Sequence, residues 1–330
     1  MVEFRTFRNS DPPQLATVWN SQPPLETRLP RVHARMLDET VLARLYFDPA
    51  GLLVAEEGNR VVGFAHAGFG PVAGGERLAT DRGCVSALMV EQRPDAELIA
   101  AELIRRAEDY LAARGARESM AGGPGPVDPF YGGMYGGCRG EGIPTEDAAA
   151  VERFRAAGYA EGEKRVVFRR ELADYRPPYD RLHMQWQRQL PTERPVECQS
   201  GLAAASWWDA STMGQQCRCR FRLAVRSPTP RAAEILCCDL QPFADATGQR
   251  LGGLLQWNCD DRAWSDGLFR FLLAETLRLL AEDGVEWFEA HTGPTDAPLR
   301  DLLEKLGFRR VTEKIMLAKP LQARQPPDGM

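Results

Sequence analysis

Apolar positions along the chain fall into two rhythms. Alternating or continuous apolar runs mark strands, and apolar residues three and four apart mark helices. The clearest block runs from Gly83 to Gly115. Ser86–Val90 is a compact apolar run, suited to a strand buried on both faces. The charged segment EQRPDAE follows it. Leu98, Ala101, Ile104, Ala107, Tyr110 and Leu111 then recur at helical spacing, opposite Glu102, Arg105, Arg106 and Asp109. Gly115 stands where a left-handed C-cap belongs. The same block is written again as RLGGLLQWN, CDDRAWSDG and LFRFLLAETLRLLAEDG, closed by Gly284. A strand feeding a helix N-terminus through a short loop is a place where backbone N–H groups can hold a phosphate-bearing cofactor.

The remaining segments extend the repeat. VEFRTF reads as a strand, Gln14–Trp19 as a helix capped by Ser10 or Asp11, and Leu37–Phe47 as a short helical pattern. GLLVAEE and RVVGFAHAGFG form a hairpin turned at Gly58-Asn59, residues that tolerate positive φ. ARESMAGG is a strand. The Gly-rich loop after it, through 145, carries Phe130, Tyr131, Met134 and Tyr135, and such embedded aromatics predict an ordered loop. Asp147–Ala157 is a helix and KRVVFRREL a strand. In the second half come strand VECQS, helix Leu202–Met213, strands RCRFRLAVRS and AAEILCCDLQPF, and then the repeated block. Strand VEWFEAHT, helix Asp296–Leu306 and strand FRRVTEKIMLAK complete it. The pattern predicts two domains of one fold, 1–172 and 195–320. A Pro-rich linker, 173–194, with a connecting helix over His183–Leu190, joins them, and 321–330 is a disordered tail.

Bulk properties narrow the partners. The 330 residues are 44% hydrophobic and carry a net charge of −5. No Lys/Arg block is interleaved with aromatics, so nucleic acid is not expected. Apolar runs fall short of a membrane span and the N-terminus MVEFRTFRNS is no signal peptide, so a cytoplasmic protein without membrane contact is expected. The eight cysteines lack metal-ligand spacing and read as buried thiols, with no metal expected.

The element order, the ALMV strand leading to a helix, and the short helices ending FRAAGY (154–159) and LEKLGF (303–308) resemble the GCN5-related N-acetyltransferase (GNAT) superfamily, present in tandem. The loop PFYGGMYGG resembles one found in bacterial tandem acetyltransferases. The resemblance implies an α/β (α+β) fold in each domain, a mixed central sheet flanked by helices. It also implies acetyl-CoA as co-substrate and an amine of a small molecule or peptide as acceptor. It places acetyl-CoA along Leu88, Met89 and Val90, with its pyrophosphate near Arg93, Ile99 and Ala100. The family loop [QR]-x-x-G-x-[GA] is altered here. The first copy reads Asp95-Ala-Glu-Leu98-Ile-Ala100 and the second Trp264-Ser-Asp-Gly267-Leu-Phe269. The position of the usual acidic tyrosine holds Phe154 and Leu303.

Substitute proton carriers are therefore sought nearby. Tyr135 or Tyr131 on the long loop can serve as general acid, and equally can anchor the loop by burying ring area. Glu141, Glu118 and His66 are candidate general bases, with a satisfied core histidine the competing reading of His66. In the second copy Glu289 and His291 face the equivalent region. The first copy is favoured as the active one. The competing reading is a binding or regulatory protein that keeps the fold without the chemistry.

Overall fold

A computed structural model describes residues 1–123, 130–190, 196–202, 207–208, 217–225 and 231–322, with Cys217 and Arg218 as backbone only. Most of the predicted Leu202–Met213 helix, the start of the Gly-rich loop and the tail beyond 322 lie outside these residues.

The elements follow the sequence pattern closely. In chain order they begin with β1 (Glu3–Thr6), α1 (Pro12–Asn20), α2 (Ala34–Leu37), β2 (Leu52–Glu57), β3 (Arg60–Pro71) and β4 (Leu78–Val90). Next come α3 (Ala96–Ala113), β5 (Glu118–Ala121), β6 (Ile143–Pro144), α4 (Ala148–Ala156), β7 (Ala160–Glu171), α5 (Arg181–Gln189), β8 (Glu197–Ser200) and β9 (Cys217–Val225). The chain continues through β10 (Arg231–Asp239), α6 (Ala244–Thr247), β11 (Leu251–Cys259), α7 (Asp261–Ser265), α8 (Leu268–Glu282), β12 (Trp287–Thr292), α9 (Ala297–Lys305) and β13 (Arg309–Pro320). Among the described residues no helix is long and apolar enough to cross a membrane. The Leu37–Phe47 pattern resolves into α2 and a π-turn over Asp38–Leu42 rather than one continuous helix.

The chain divides into two compact units. The first comprises 1–165, 205–212 and 312–330; the second comprises 166–204 and 213–311. In the first, strands lie in the order β1-β2-β3-β4-β5-β13, and β6 pairs with β13. In the second, the order is β8-β9-β10-β11-β12-β7. Each sheet is thus closed by a strand from the far half of the sequence. β13 runs antiparallel to β5, from Leu317↔Ala121 to Pro320↔Glu118. β7 runs antiparallel to β12, from Trp287↔Glu171 to Thr292↔Val166. The stretch 173–194 contributes Tyr175 and Trp186 to the second unit's core rather than standing outside it.

Both units break their sheet in the same way. β4 pairs in parallel with β5 only from Arg82↔Glu118 to Val85↔Ala121. At that point the β3–β4 ladder slips one residue, leaving Ser86 as a bulge between the pairs Ala67↔Val85 and His66↔Ala87. β11 pairs in parallel with β12 from Leu251↔Trp287 to Gly253↔Glu289. The β10–β11 ladder slips there too, with Leu255 the extra residue between Cys237↔Leu254 and Leu236↔Gln256. Beyond each bulge the strand keeps its antiparallel neighbour and parts from its parallel one.

Helices cover the sheet faces. In the first unit α3 lies on one face, where a Cβ on Gly63 would approach Leu103 and one on Gly83 would collide with Leu111. The other face, which carries His66, meets Phe130 and Tyr131 of the Gly-rich loop. In the second unit α8 supplies a large share of the core, with Leu268, Phe269, Leu272, Leu273 and Leu277 fully buried in one cluster with Phe221, Ile235, Phe288 and Ala290.

Candidate functional site

The split beside β4 leaves backbone groups without a strand to bond. Glu91 N–H donates to Val62 O on β3 at 2.9 Å. Antiparallel bonding alternates, so Met89 and Ala87 also face β3, whereas Leu88 and Val90 point their backbone groups away from it. Gln22 Nε2 donates to Val90 O at 3.1 Å, in keeping with that direction. The Leu88 N–H and C=O therefore face the split. The side chains of Leu88, Met89 and Val90 are buried, alternating between the two faces of the sheet.

The start of α3 is occupied by its own charges. Arg93 grips Asp95 through two hydrogen bonds, one of them Nη2 to Oδ2 at 3.0 Å, and reaches Glu57 at 3.1 Å. The bond to Arg93 holds the Asp95 carboxyl below the usual carboxylate range. Arg153 on α4 pairs with Glu97 at 2.9 Å. Leu98 stands 76% exposed on the first turn. Ile99 and Ala100 turn inward and are buried, and Ile99 N–H is spent on Asp95 O at 3.1 Å. This helix start presents Asp95 and Glu97 where a diphosphate would need cations, so it does not fit that group. A cavity of about 250 Å³ continues between α3 and α4, lined by Glu97, Ala101, Arg105, Glu108, Arg153 and Lys319.

The Gly-rich loop is tied down at many points. Gly136 and Gly137 both take left-handed backbone, φ 82° and 83°, which only glycine adopts without cost. Their N–H groups donate to Thr27 O at 2.8 and 3.1 Å. Lys314, fully buried on β13, donates to Gly136 O at 2.7 Å and Arg139 O at 2.6 Å.

The three candidate proton carriers sit at separate points of this frame. His66 on β3 is fully buried, its ring 4.1 Å from Phe130 and 5.5 Å from Phe47, with Nδ1 3.1 Å from the Tyr131 hydroxyl. Burial lowers its pKa to about 3, so its imidazole is neutral near pH 7. Tyr135 donates its hydroxyl proton to Asp147 Oδ2 at 2.9 Å, and Arg28 pairs with the same carboxylate at 3.3 Å. Burial, then the Asp147 charge, push the Tyr135 pKa well above its ordinary value. Glu141 is buried between Arg139 and Arg165, with Arg165 Nε 3.0 Å away. Burial alone would raise its pKa, but the charges of Arg139, Arg165 and Lys314 outweigh it and lower it. Glu118 pairs with Arg82 at 2.7 Å on the protein surface.

The second unit arranges the same region differently. Gly267 takes φ 82° at the N-cap of α8, a conformation that suits glycine. It opens on a cavity of about 290 Å³ lined by Trp264, Ser265, Phe269, Arg270, Asp301 and Lys305. Phe269 is buried, stacked 5.2 Å from Trp264, and Trp257 of β11 lies 5.2 Å from it while remaining 37% exposed. On β12, Glu289 and His291 share the face opposite Phe288 and Ala290. His291 Nε2 is 2.7 Å from Glu289 Oε1, and Arg169 reaches Glu289 Oε2 at 2.8 Å. Burial would raise the Glu289 pKa, but the bond and charge of His291 and those of Arg169 hold it far below the ordinary range. The cavity at α8 and the Trp257 stack were not singled out from sequence. The usable signal is the glycine of Trp264-Ser-Asp-Gly267 followed by Arg270.

No sequence-family model matches the chain, and no curated protein sequence does. Solved structures do, over nearly its whole length. One is the GCN5-related glucosamine N-acetyltransferase region of a fungal multi-domain GH3 β-N-acetylglucosaminidase, with a TM-score of 0.69, 14% identity and 97% of this chain covered. This chain spans 38% of that longer protein. A tandem GNAT protein from the clavulanic acid biosynthesis pathway matches at a TM-score of 0.58 and 13% identity, covering 98% of this chain and 100% of that one. A GCN5-related N-acetyltransferase from Sphaerobacter thermophilus matches at 0.58 and 12% identity, covering 97% and 96%. The chain therefore has the fold of the GCN5-related N-acetyltransferases. The bulged, split sheet appears in it twice.

Proposed function

We propose that the chain transfers an acetyl group from acetyl-CoA to an amine of a small molecule or peptide. The observation that carries this reading is the split beside β4, where the backbone of Leu88 faces away from β3. A bound thioester would supply the acyl carbonyl. With a thioester bound there, the Leu88 N–H, fixed in the strand, would be the donor to its carbonyl oxygen. The buried side chains of Leu88, Met89 and Val90 keep water from the reacting carbon. Glu141 is ionised and is the proton acceptor in the first unit, although its paired arginines make it a weak base. Tyr135 holds its proton firmly and orients the loop through Asp147, and His66 fixes Tyr131. Arg93 reaches the cofactor only after it leaves Asp95, and the Ile99 N–H, bonded to Asp95 O, is not open to it.

The second unit supports the same chemistry from another direction. Its helix start sets a glycine beside Arg270 and Lys305, cations a diphosphate would need, with Asp180 and Asp301 sharing their charge, and its Glu289–His291 pair is an acid-oriented imidazole. A second reading is that the first unit binds without catalysing. The paired acids at the start of α3 favour it.

The test is a titration of purified protein with acetyl-CoA, followed by thermal midpoint and by release of CoA thiol in the presence of varied amines. A raised midpoint with thiol release supports transfer. A raised midpoint without release under any amine supports the binding reading. An unchanged midpoint with no release rejects both.

A further inference from the structure

The second unit contains a pair of cysteines that the proposed chemistry does not use. Cys219 on β9 stands directly opposite Cys237 on β10. Opposed residues of an antiparallel ladder have Cα atoms roughly 4.5–5.5 Å apart. That lies inside the window of roughly 4.4–6.8 Å that a disulfide spans. Opposed residues also share a face, and here it is the face of Phe221 and Ile235, which packs against α8. Both are thiols, Cys237 buried and Cys219 half-buried. Other cysteines of this unit whose side chains are described are placed less well. Cys238 is opposite Arg218 and so on the other face, Cys198 is opposite Phe221, and Cys259 is opposite Ala233, four positions along β10 from Cys237.

We propose that Cys219 and Cys237 form a reversible cross-strand disulfide when the protein meets a low-molecular-weight disulfide such as oxidised glutathione. The Cys219 thiolate, the more accessible, attacks one sulfur of the reagent. The reagent's S–S bond breaks and one glutathione leaves with the electron pair. The Cys237 thiolate then attacks the Cys219 sulfur, the mixed S–S bond breaks, and the second glutathione leaves. The two protons lost by the cysteines end on the two glutathione thiols. The protein is oxidised by two electrons and the reagent reduced by two. The bond pins β9 to β10 at the residue of β10 that faces Leu254, where the ladder to β11 slips. Oxidation therefore stiffens β10, the antiparallel neighbour that β11 keeps where it parts from β12.

The experiment incubates the full chain, natively folded, with oxidised glutathione and reads intact mass after acid quenching. A loss of about 2 Da, reversed by dithiothreitol, is expected. A non-reducing peptide map should join the Cys219 peptide to the Cys237 peptide. Cys219→Ser should abolish the loss, and Cys198→Ser should leave it unchanged. If Cys219→Ser does not fold, Cys237→Ala gives the same readout. A persistent glutathione adduct on Cys219, or a cross-link mapped to any other pair, overturns the proposal.

Discussion

The starts of α3 and α8 occupy the same place in the repeat and are built on opposite principles. At α3 the side chains Asp95, Glu97 and Leu98 fill the approach, and Arg93 and Arg153 are consumed in neutralising the acids. At α8 the glycine adds no side chain of its own, Leu182 lies beside it, and Arg270, Lys305 and Asp301 line the cavity in front of it. Arg270 also pairs with Asp180, so its charge is shared. The buried histidines differ in the same sense. His66 is enclosed by rings and stays neutral, whereas His291 lies against ionised Glu289. One fold, repeated, thus carries two electrostatic settings. Strand order and bulge are set by backbone pairing, which tolerates many side chains. Ligand affinity is set by a few side chains at the helix start, which are free to diverge.

The largest effect should come from removing packing at the second helix start. Phe269→Ala empties a fully buried ring site and should cost about 3–5 kcal/mol. Leu98→Ala, at the first unit's counterpart of Gly267, removes an exposed side chain and should stay within about 0.5 kcal/mol. Denaturant midpoints of both variants test this, and equal losses would break the comparison. Acidification comes next. His66 is neutral in the folded chain down to about pH 3 but titrates near 6.5 when unfolded. Above pH 6.5 both states are neutral and nothing is lost. As pH falls below 6.5 the unfolded chain gains a proton that the native ring refuses, and stability drops by about 1.4 kcal/mol per pH unit until about pH 3. His66→Gln should flatten that part of the stability–pH curve, measured against wild type by urea unfolding.

Smaller effects sharpen the contrast at the ligand end. Asp95→Arg combined with Leu98→Gly should tighten CoA binding about tenfold and make it more sensitive to salt. Calorimetry showing immeasurable binding both before and after would mean that the first cleft is closed to CoA. Arg270→Gln should weaken CoA binding at the second unit several-fold, with the folding midpoint held nearly constant. On stability, Gly267→Ala should cost about 1–2 kcal/mol, because a Cβ is strained at its φ of 82°. A circular-dichroism melt indistinguishable from wild type would show that the loop relaxes into ordinary helix geometry.

Much of this architecture was legible in the sequence. Strands and long helices announce themselves by period, and Gly58-Asn59, Gly115 and Gly284 mark their ends as expected, each with positive φ. The exchange of β7 and β13 was not legible, because a strand's own pattern shows which face it buries and not which edge it joins. The candidate side chains were found as residue types in plausible places, but their partners were missed. Arg139 lies two residues before Glu141, and Asp147 doubles as the N-cap of α4 and the acceptor of the Tyr135 hydroxyl. Such pairings depend on loop geometry that local sequence does not encode. The single departure most visible beforehand was the acidic loop at Asp95, and there the structure supplies the missing half, the arginines that neutralise it.

The placement of β13 has a consequence for how the protein is made. A ribosome releases the first unit's β1 to β5 early, yet β5 waits for Leu317, and the Gly-rich loop for Lys314, 178 residues after Gly136. Until Leu317 emerges opposite Ala121, the nascent first unit exposes an unpaired strand edge and a Gly-rich loop without its lysine. Translation must pass through the whole second unit before the first can close. Pausing before residue 312 would therefore hold an aggregation-prone edge open, and ribosome-bound chains truncated before that residue should be the ones that recruit chaperones.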